Sequence, residues 1–250
     1  MPSRRNALRL ALVTVGGVAV GAVLGACSTD RGGPGTAEGR SWIPGQPAEL
    51  FEQGGRHFLD NGVSATTTIH GAGELRLPTG RLVAADPSWL PSWERLGIAP
   101  YTATVPAGSY PLTLAVVEWP TDRRVAAAKL TIRDEPIVAW DMALRPGEDL
   151  AALRPGEAYV VGIDVATMVL LDAAALPAMA RRTDEDPESY EVTNPDIPVE
   201  LADPSSGANA IAFQTGWGDG AYAVWIGRAS GGAVACFLVD MAMLAAEDHR

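Results

Sequence analysis

The stretch Ile211-Ala-Phe-Gln-Thr-Gly-Trp-Gly-Asp-Gly-Ala-Tyr-Ala-Val-Trp-Ile-Gly227 limits the fold more than any other. It is an apolar run, a Gly216-Trp-Gly-Asp-Gly220 turn and a second apolar run. Short apolar runs punctuated by glycine favour strands over helices. A third run, Ala233 to Asp240, follows Ser230-Gly-Gly232. The sequence therefore predicts three adjacent strands at the centre of one sheet, with Trp217 and Asp219 at a loop tip. The glycines suit tight backbone turning, where φ is positive.

The rest of the chain has the same character. Thr66-Thr-Thr-Ile69 is β-branched, and Glu74-Leu-Arg-Leu77 alternates polar and apolar. Further strands are expected at Arg81–Ala85, Tyr101–Val105, Tyr110–Trp119, Arg123–Arg133, Pro136–Leu144, Tyr159–Asp164 and Thr167–Asp172. A short helix is expected within Ala48–Leu59, cut by Gly54-Gly55. Another is expected over Ala173–Arg182, with Asp172 as its N-cap. Thr183–Ser189 reads as an exposed acidic loop, Asn194–Pro204 as an irregular one and Met243–Asp248 as a terminal helical turn. The hexapeptide Ala143-Leu-Arg-Pro-Gly-Glu148 recurs as Ala152-Leu-Arg-Pro-Gly-Glu157, which predicts two similar turns and no solenoid. The fold class expected is mainly β (a β-rich α+β domain): one domain of antiparallel strands with a few short helices. At 250 residues and 47% hydrophobic the chain has enough apolar surface for such a core.

The N-terminus supplies an address. Ser3-Arg-Arg-Asn-Ala-Leu-Arg9 is a basic segment, Leu10 to Ala26 is uncharged and apolar, and Leu24-Gly-Ala-Cys27 closes it. This resembles a bacterial lipoprotein signal, in which the cysteine becomes the acylated (palmitate-type) N-terminus, and the Arg-Arg spacing resembles a twin-arginine export signal. The organisation expected is a signal peptide over 1–26, a flexible Gly-rich tether over 27–41 and a globular domain over 42–250. The location expected is the extracytoplasmic face of the cell membrane. The formal charge is −11, and without Arg4, Arg5 and Arg9 it is −14, from 16 basic and 30 acidic residues. Such a surface repels phosphate backbones and anionic lipid, so no nucleic acid partner is expected and membrane attachment is expected to be covalent or hydrophobic: through the lipid on Cys27, or through 10–26 kept as an uncleaved anchor. With Cys27 acylated, Cys236 stands alone inside an apolar strand and reads as a buried core thiol.

Leu77-Pro-Thr-Gly-Arg-Leu-Val-Ala-Ala-Asp-Pro87, Val105-Pro-Ala-Gly-Ser-Tyr-Pro111, Arg124-Val-Ala-Ala-Ala128, Gly162-Ile-Asp164 and Gly216-Trp-Gly-Asp-Gly220 occur in one order. In this the chain resembles the bacterial family called domain of unknown function 4241, over roughly Leu75 to Asp240. The resemblance implies relatives but no reaction.

No nucleophile elbow, phosphate-binding loop or His-Glu-x-x-His helix is present, and the histidines are His57, His70 and His249. No metal or other cofactor is expected, and the histidines read as surface or turn residues. Carboxylates remain as the chemical resource: Asp86, Asp164, Asp172, Asp219 and Asp240 each lie at a strand end or glycine turn. Convergence of several would permit acid–base chemistry or cation binding. Aspartate beside Gly or Pro also bonds its own backbone to set a turn. Trp217, Asp219, Tyr222, Asp86 and Asp164 are the candidate binding residues, and none is assigned a catalytic role. Three functions fit: a non-catalytic binding module for an envelope component or a protein, a carboxylate- or metal-dependent hydrolase, and a toxin-neutralising interaction protein. The address is testable by itself: Cys27→Ala moves the protein from the membrane fraction into medium or periplasm, as fractionation reads directly.

Overall fold

In the computed structural model, which describes residues 35–37 and 42–245, strands dominate. Residues 1–26, with the expected signal peptide, and Cys27 lie outside the described residues. In chain order the strands are β1 (Gly35–Ala37), β2 (Arg56–Phe58), β3 (Ser64–Leu77), β4 (Leu82–Ala85), β5 (Gly108–Trp119), β6 (Asp122–Thr131) and β7 (Ile137–Met142). They continue as β8 (Ala158–Ile163), β9 (Thr167–Asp172), β10 (Val199–Asp203), β11 (Ala208–Gln214), β12 (Gly220–Ala229) and β13 (Val234–Asp240). Among the described residues the α-helices are α1 (Trp93–Leu96) and α2 (Leu176–Glu185), and short 3₁₀ turns such as Gln46–Phe51 and Pro187–Tyr190 occur elsewhere in the chain. No helix among the described residues is long and apolar enough to cross a membrane.

Two antiparallel sheets carry the fold. The larger runs β1-β8-β12-β13-β6-β5-β3-β2, with β7 also on β12, and the smaller runs β10-β11-β9-β4. Strand alternation assigns the two faces of the smaller sheet to different cores. Met168, Leu170, Ile211 and Phe213 join the core between the sheets. Val169, Leu171, Ala210 and Ala212 join a second core under α2, with Leu176 and Met179. The small sheet is thus covered on both faces, which explains why Met168-Val-Leu-Leu171 is apolar throughout rather than alternating. In β11 the large side chains face the other sheet and the alanines face the helical layer, where the 3₁₀ turn Ala173–Ala175 approaches the strand.

β12 and β13 form the expected hairpin, with a register shift at Gly227/Arg228. β11 does not join them. It pairs with β9 and β10 in the small sheet, so Gly216–Gly220 is a crossover between sheets and not a hairpin turn. The physical reason is that stacking face to face buries the same apolar side chains as pairing edge to edge. Ile211 and Phe213 still meet Tyr222 and Val224 in one core. β8 and β9 likewise belong to different sheets, which makes Asp164–Ala166 a second crossover.

Other expectations are refined. Thr66–Ile69 and Glu74–Leu77 are one strand, β3, with a bulge between Gly71 and Glu74. Tyr101–Val105 is not a strand; it lies along β4, with Tyr101 N donating to Leu82 O and Val105 N to Gly80 O. Val199–Asp203 is the edge strand β10, where a loop was expected from the flanking prolines. Thr183 is buried in the last turn of α2, and Tyr190 is buried just beyond it, so the acidic stretch is not all loop. Met243–Ala245 are not helical: Leu244 bridges Leu59, and residues 246–250 lie outside the described residues. Gly35–Ala37, inside the stretch expected to be a tether, pairs with β8.

The two hexapeptide copies do fold alike. Glu148 N donates to Arg145 O and Glu157 N to Arg154 O, while Arg145 N and Arg154 N each donate to the Glu carboxylate three residues on. Their side chains part company: Arg154 is 78% exposed, whereas Arg145 is 7% exposed. Arg145 donates to Val160 O in the large sheet and to Ala84 O in the small one. Its guanidinium lies 5.3 Å from the ring of Tyr101, which in turn stacks 6.2 Å from Phe237.

Burial pushes the phenols of Tyr101 and Tyr190 up to about 12, from the ordinary 10.0. A raised folded value favours the protonated form, so this contribution to stability is complete below pH 10 and is lost as pH rises towards 12. The expected outcome is that tyrosinate absorbance from these two residues appears together with loss of the β-sheet circular dichroism signal. Ionisation well before unfolding would contradict it.

Candidate functional site

The two sheet-to-sheet crossovers, Asp164–Ala166 and Thr215–Asp219, lie side by side at one end of the molecule. A chain that leaves one sheet for another loses its ladder partners, so its amides need other acceptors. Asp86, at the end of β4, supplies them. Its Oδ2 accepts from Asp164 N at 2.6 Å and Val165 N at 3.2 Å. Its Oδ1 accepts from Ser88 N at 2.7 Å and Ser88 Oγ at 2.6 Å, capping the 3₁₀ turn Pro87–Ser92. The third amide, Ala166 N, donates to Asp219 Oδ1 at 2.9 Å on the other crossover. Ala166 O accepts from Thr215 N at 3.0 Å, so the two crossovers are bonded in both directions. Ala166 has φ +51°, a left-handed conformation that costs a non-glycine residue roughly 1–2 kcal/mol. Doubly bonded, it is held there.

The Gly-Trp-Gly-Asp-Gly block is shaped by the same contacts. Gly218 has φ +99°, and its carbonyl accepts from Thr215 Oγ1 at 2.8 Å and Tyr222 Oη at 2.7 Å. Gly216 donates to Val125 O and accepts from Arg124 Nη1, which ties the block to β6. Trp217 then folds over the β5–β6 hairpin. Its Nε1 donates to Asp60 Oδ1 at 3.1 Å, and its ring lies 6.0 Å from Trp119 at a tilt of 60°. The Arg124 guanidinium sits 5.8 Å above the Trp217 ring and is held at 2.7 Å by Asp122. In the motif Gly162-Ile-Asp164, a Cβ on Gly162 would lie 2.7 Å from Trp89 Cη2, so that ring needs glycine beneath it.

The structure therefore brings Asp86, Asp164, Asp219 and Trp217 to one end, with unequal freedom. Asp86 is fully buried; Asp164, Val165 and Asp219 are exposed, and Trp217 is partly exposed. Tyr222 is a core residue whose hydroxyl is spent on the Gly218 carbonyl. Asp172 is a clamp, accepting from Thr79 N, Thr79 Oγ1 and Ala174 N. Asp240 accepts from Ala242 N and Trp225 Nε1. Burial raises the Asp86 carboxyl above its ordinary 3.8, and the Ser88 hydroxyl and the amides of Asp164, Ser88 and Val165 offset part of that rise. All its partners are donors, so the carboxylate is the form the site is built for. Cys236 is buried, and burial pushes its thiol up, as expected of a core cysteine.

Among the described residues no group of three or more His, Cys, Asp or Glu side chains is placed to hold a metal ion. His70 lies on β3 rather than in a turn, with Nε2 3.0 Å from Thr68 Oγ1 and 3.5 Å from Asp196 Oδ1. Asp196 also takes both amino groups of Arg123 at 2.7 Å, which pins the 194–197 loop to the large sheet. A recess of about 20 Å³ beside the crossovers is lined by Ala84, Trp89, Arg145, Val160 and Gly162. It has room for about one water molecule, far below the roughly 300 Å³ of a small-molecule pocket. Trp119, Arg124, Asp60 and Ala166 also belong to this end; none was a candidate binding residue, although Arg124 opens one of the family blocks.

Replacing Asp86 with Asn keeps the shape but turns one acceptor into a donor facing amides. The expected loss is about 1–3 kcal/mol in denaturant unfolding, the usual effect of leaving buried donors unsatisfied. Asp164→Asn, which keeps an exposed side chain, is expected to change stability by less than about 0.5 kcal/mol. Equal effects of the two would show that Asp86 does not hold the crossover.

No curated protein matches the chain, and no solved structure matches it. The family model described as Protein of unknown function (DUF4241) matches residues 75–239, from within β3 into the end of β13; it takes in both crossovers and the whole smaller sheet, and β1, β2 and most of β3 precede it. With about two thirds of its length matched, the chain belongs to the DUF4241 family.

Proposed function

We propose that the protein is an envelope lipoprotein, anchored through Cys27 at the extracytoplasmic face of the membrane, whose β-rich domain is a non-catalytic binding module. The observation that carries the binding part is the state of Trp217. Its indole N–H is fixed by Asp60, its ring is braced by Trp119 and Arg124, and it still reaches solvent on the crossover that also carries exposed Asp219. A rigid aromatic ringed by charged groups gives contact area at little entropic cost, the property of residues that anchor interfaces. The carboxylates considered for chemistry support the same reading: Asp86 and Asp172 are engaged by backbone amides and hydroxyls, and Asp219 by an amide. The ligand is an envelope component or a protein that meets the exposed aromatic and acidic groups of this end, since the adjacent recess admits little more than water.

The address rests on the Leu24-Gly-Ala-Cys27 segment, and the excess negative charge argues against electrostatic docking on anionic lipid, which supports a covalent or hydrophobic attachment. The expected result is that Trp217→Ala and Asp219→Asn each weaken capture of the component that wild-type protein retains from envelope extract, with thermal unfolding checked in parallel. Undiminished capture by both folded variants would place the binding face elsewhere.

A further inference from the structure

The register of β1 sets the direction from which the anchor approaches the domain. β1 is antiparallel to β8, with Gly35 opposite Val160, Thr36 opposite Tyr159 and Ala37 opposite Ala158. Moving up the chain from Ala37 to Gly35 is therefore moving along β8 from Ala158 to Val160, in the direction of Ile163 and Asp164, the end where the crossovers meet. Asp164 lies about 13 Å beyond Val160 at strand rise. Eight residue steps separate Gly35 from Cys27, a reach of at most about 26–29 Å. Both ends of β8 lie within the reach of the segment, so it is the strand direction of β1, and not distance, that points its N-terminal end at the crossover end. The other end of β8 opens from the Ala152–Glu157 turn, whose Arg154 is exposed.

We propose that the crossover end of the molecule, which carries Asp164, Val165, Trp217 and Asp219, is the membrane-proximal end of the anchored domain, so that its partner lies at the membrane surface. This rests on the lipid-anchor reading above. This end is not built to insert: two exposed carboxylates and a charge of −14 after removal of Arg4, Arg5 and Arg9 repel anionic lipid. It stands above the bilayer and meets a component held there. β1 is then an orienting clasp, because pairing with β8 removes rotational freedom that an unpaired tether would leave.

The test uses the lipidated full chain in vesicles that contain an acceptor-labelled lipid. Donor dyes are placed at Val165→Cys or Arg154→Cys; buried Cys236 does not compete for the label. Energy transfer is expected to be higher from position 165 than from 154. Thr36→Pro, which removes a backbone donor from β1, is expected to abolish the difference while the protein stays with the membrane. Equal transfer from the two sites, or more from 154, overturns the orientation and leaves the anchor intact. A difference that survives Thr36→Pro overturns the role of β1. Protein absent from the vesicle fraction overturns the anchor reading and the orientation together.

Discussion

The buried carboxylate of Asp86 is the joint between the two sheets. An ionised group with no exposure survives only if its lost hydration is replaced, and here Ser88 and the amides of Asp164 and Val165 replace it. The need is mutual. Where the chain steps from β8 to β9, consecutive amides have no ladder partner, and an unpaired buried amide is as costly as an unpaired charge acceptor is awkward. Asp86 and Asp219 between them take the amides of Asp164, Val165 and Ala166. That fixes β8 in one sheet and β9 in the other.

Two further polar joints act at other points along the same interface. Arg145 reaches a carbonyl on each sheet, and Asn209 ties the bulge of β3 to the small sheet by accepting from Arg76 N and donating to Glu74 O and Glu200 Oε1. Each such bond adds roughly 1 kcal/mol net, while burying one Leu, Ile or Phe side chain contributes about 1.5–3 kcal/mol. The apolar layers therefore supply most of the stability. They are non-directional, however, and two greasy sheets can slide. The polar joints have direction, and they select the one stacking in which all three close.

The same end of the molecule holds the candidate site, and its legibility in the sequence was uneven for identifiable reasons. Asp86, Asp164 and Asp219 stood out because an aspartate at a strand end has a chemical use; the structure sets all three on or beside the two crossovers, with Asp86 and Asp219 bonded to amides of one of them. Their roles divide by burial, which no local pattern encodes. Trp217 stood out as an aromatic between glycines. Asp60, which holds its indole N–H, lies 157 residues away in an unremarkable turn. Arg124 and Trp119 looked like ordinary members of a strand pair. Ala166 looked like nothing at all, since its left-handed φ arises from its two long-range bonds and not from its own propensity.

By itself, the sequence determined what local physics determines. Glycine and proline spacing marked most strands, alternation and apolar runs marked which faces are buried, Asp172 marked the start of a helical segment, and the repeated Leu-Arg-Pro-Gly-Glu stretches marked two like turns. The family was legible too, because its blocks are contiguous. Only the tertiary structure decided which strands pair, and so whether Gly216–Gly220 is a hairpin or a crossover. Burial of Ile211 and Phe213 is equally satisfied by a neighbour in the same sheet and by a sheet stacked above. Hydrophobicity measures how much surface leaves water and carries no record of what covers it. Here the choice was made by directed bonds from Asp86, Arg145 and Asn209 to backbone groups remote in sequence.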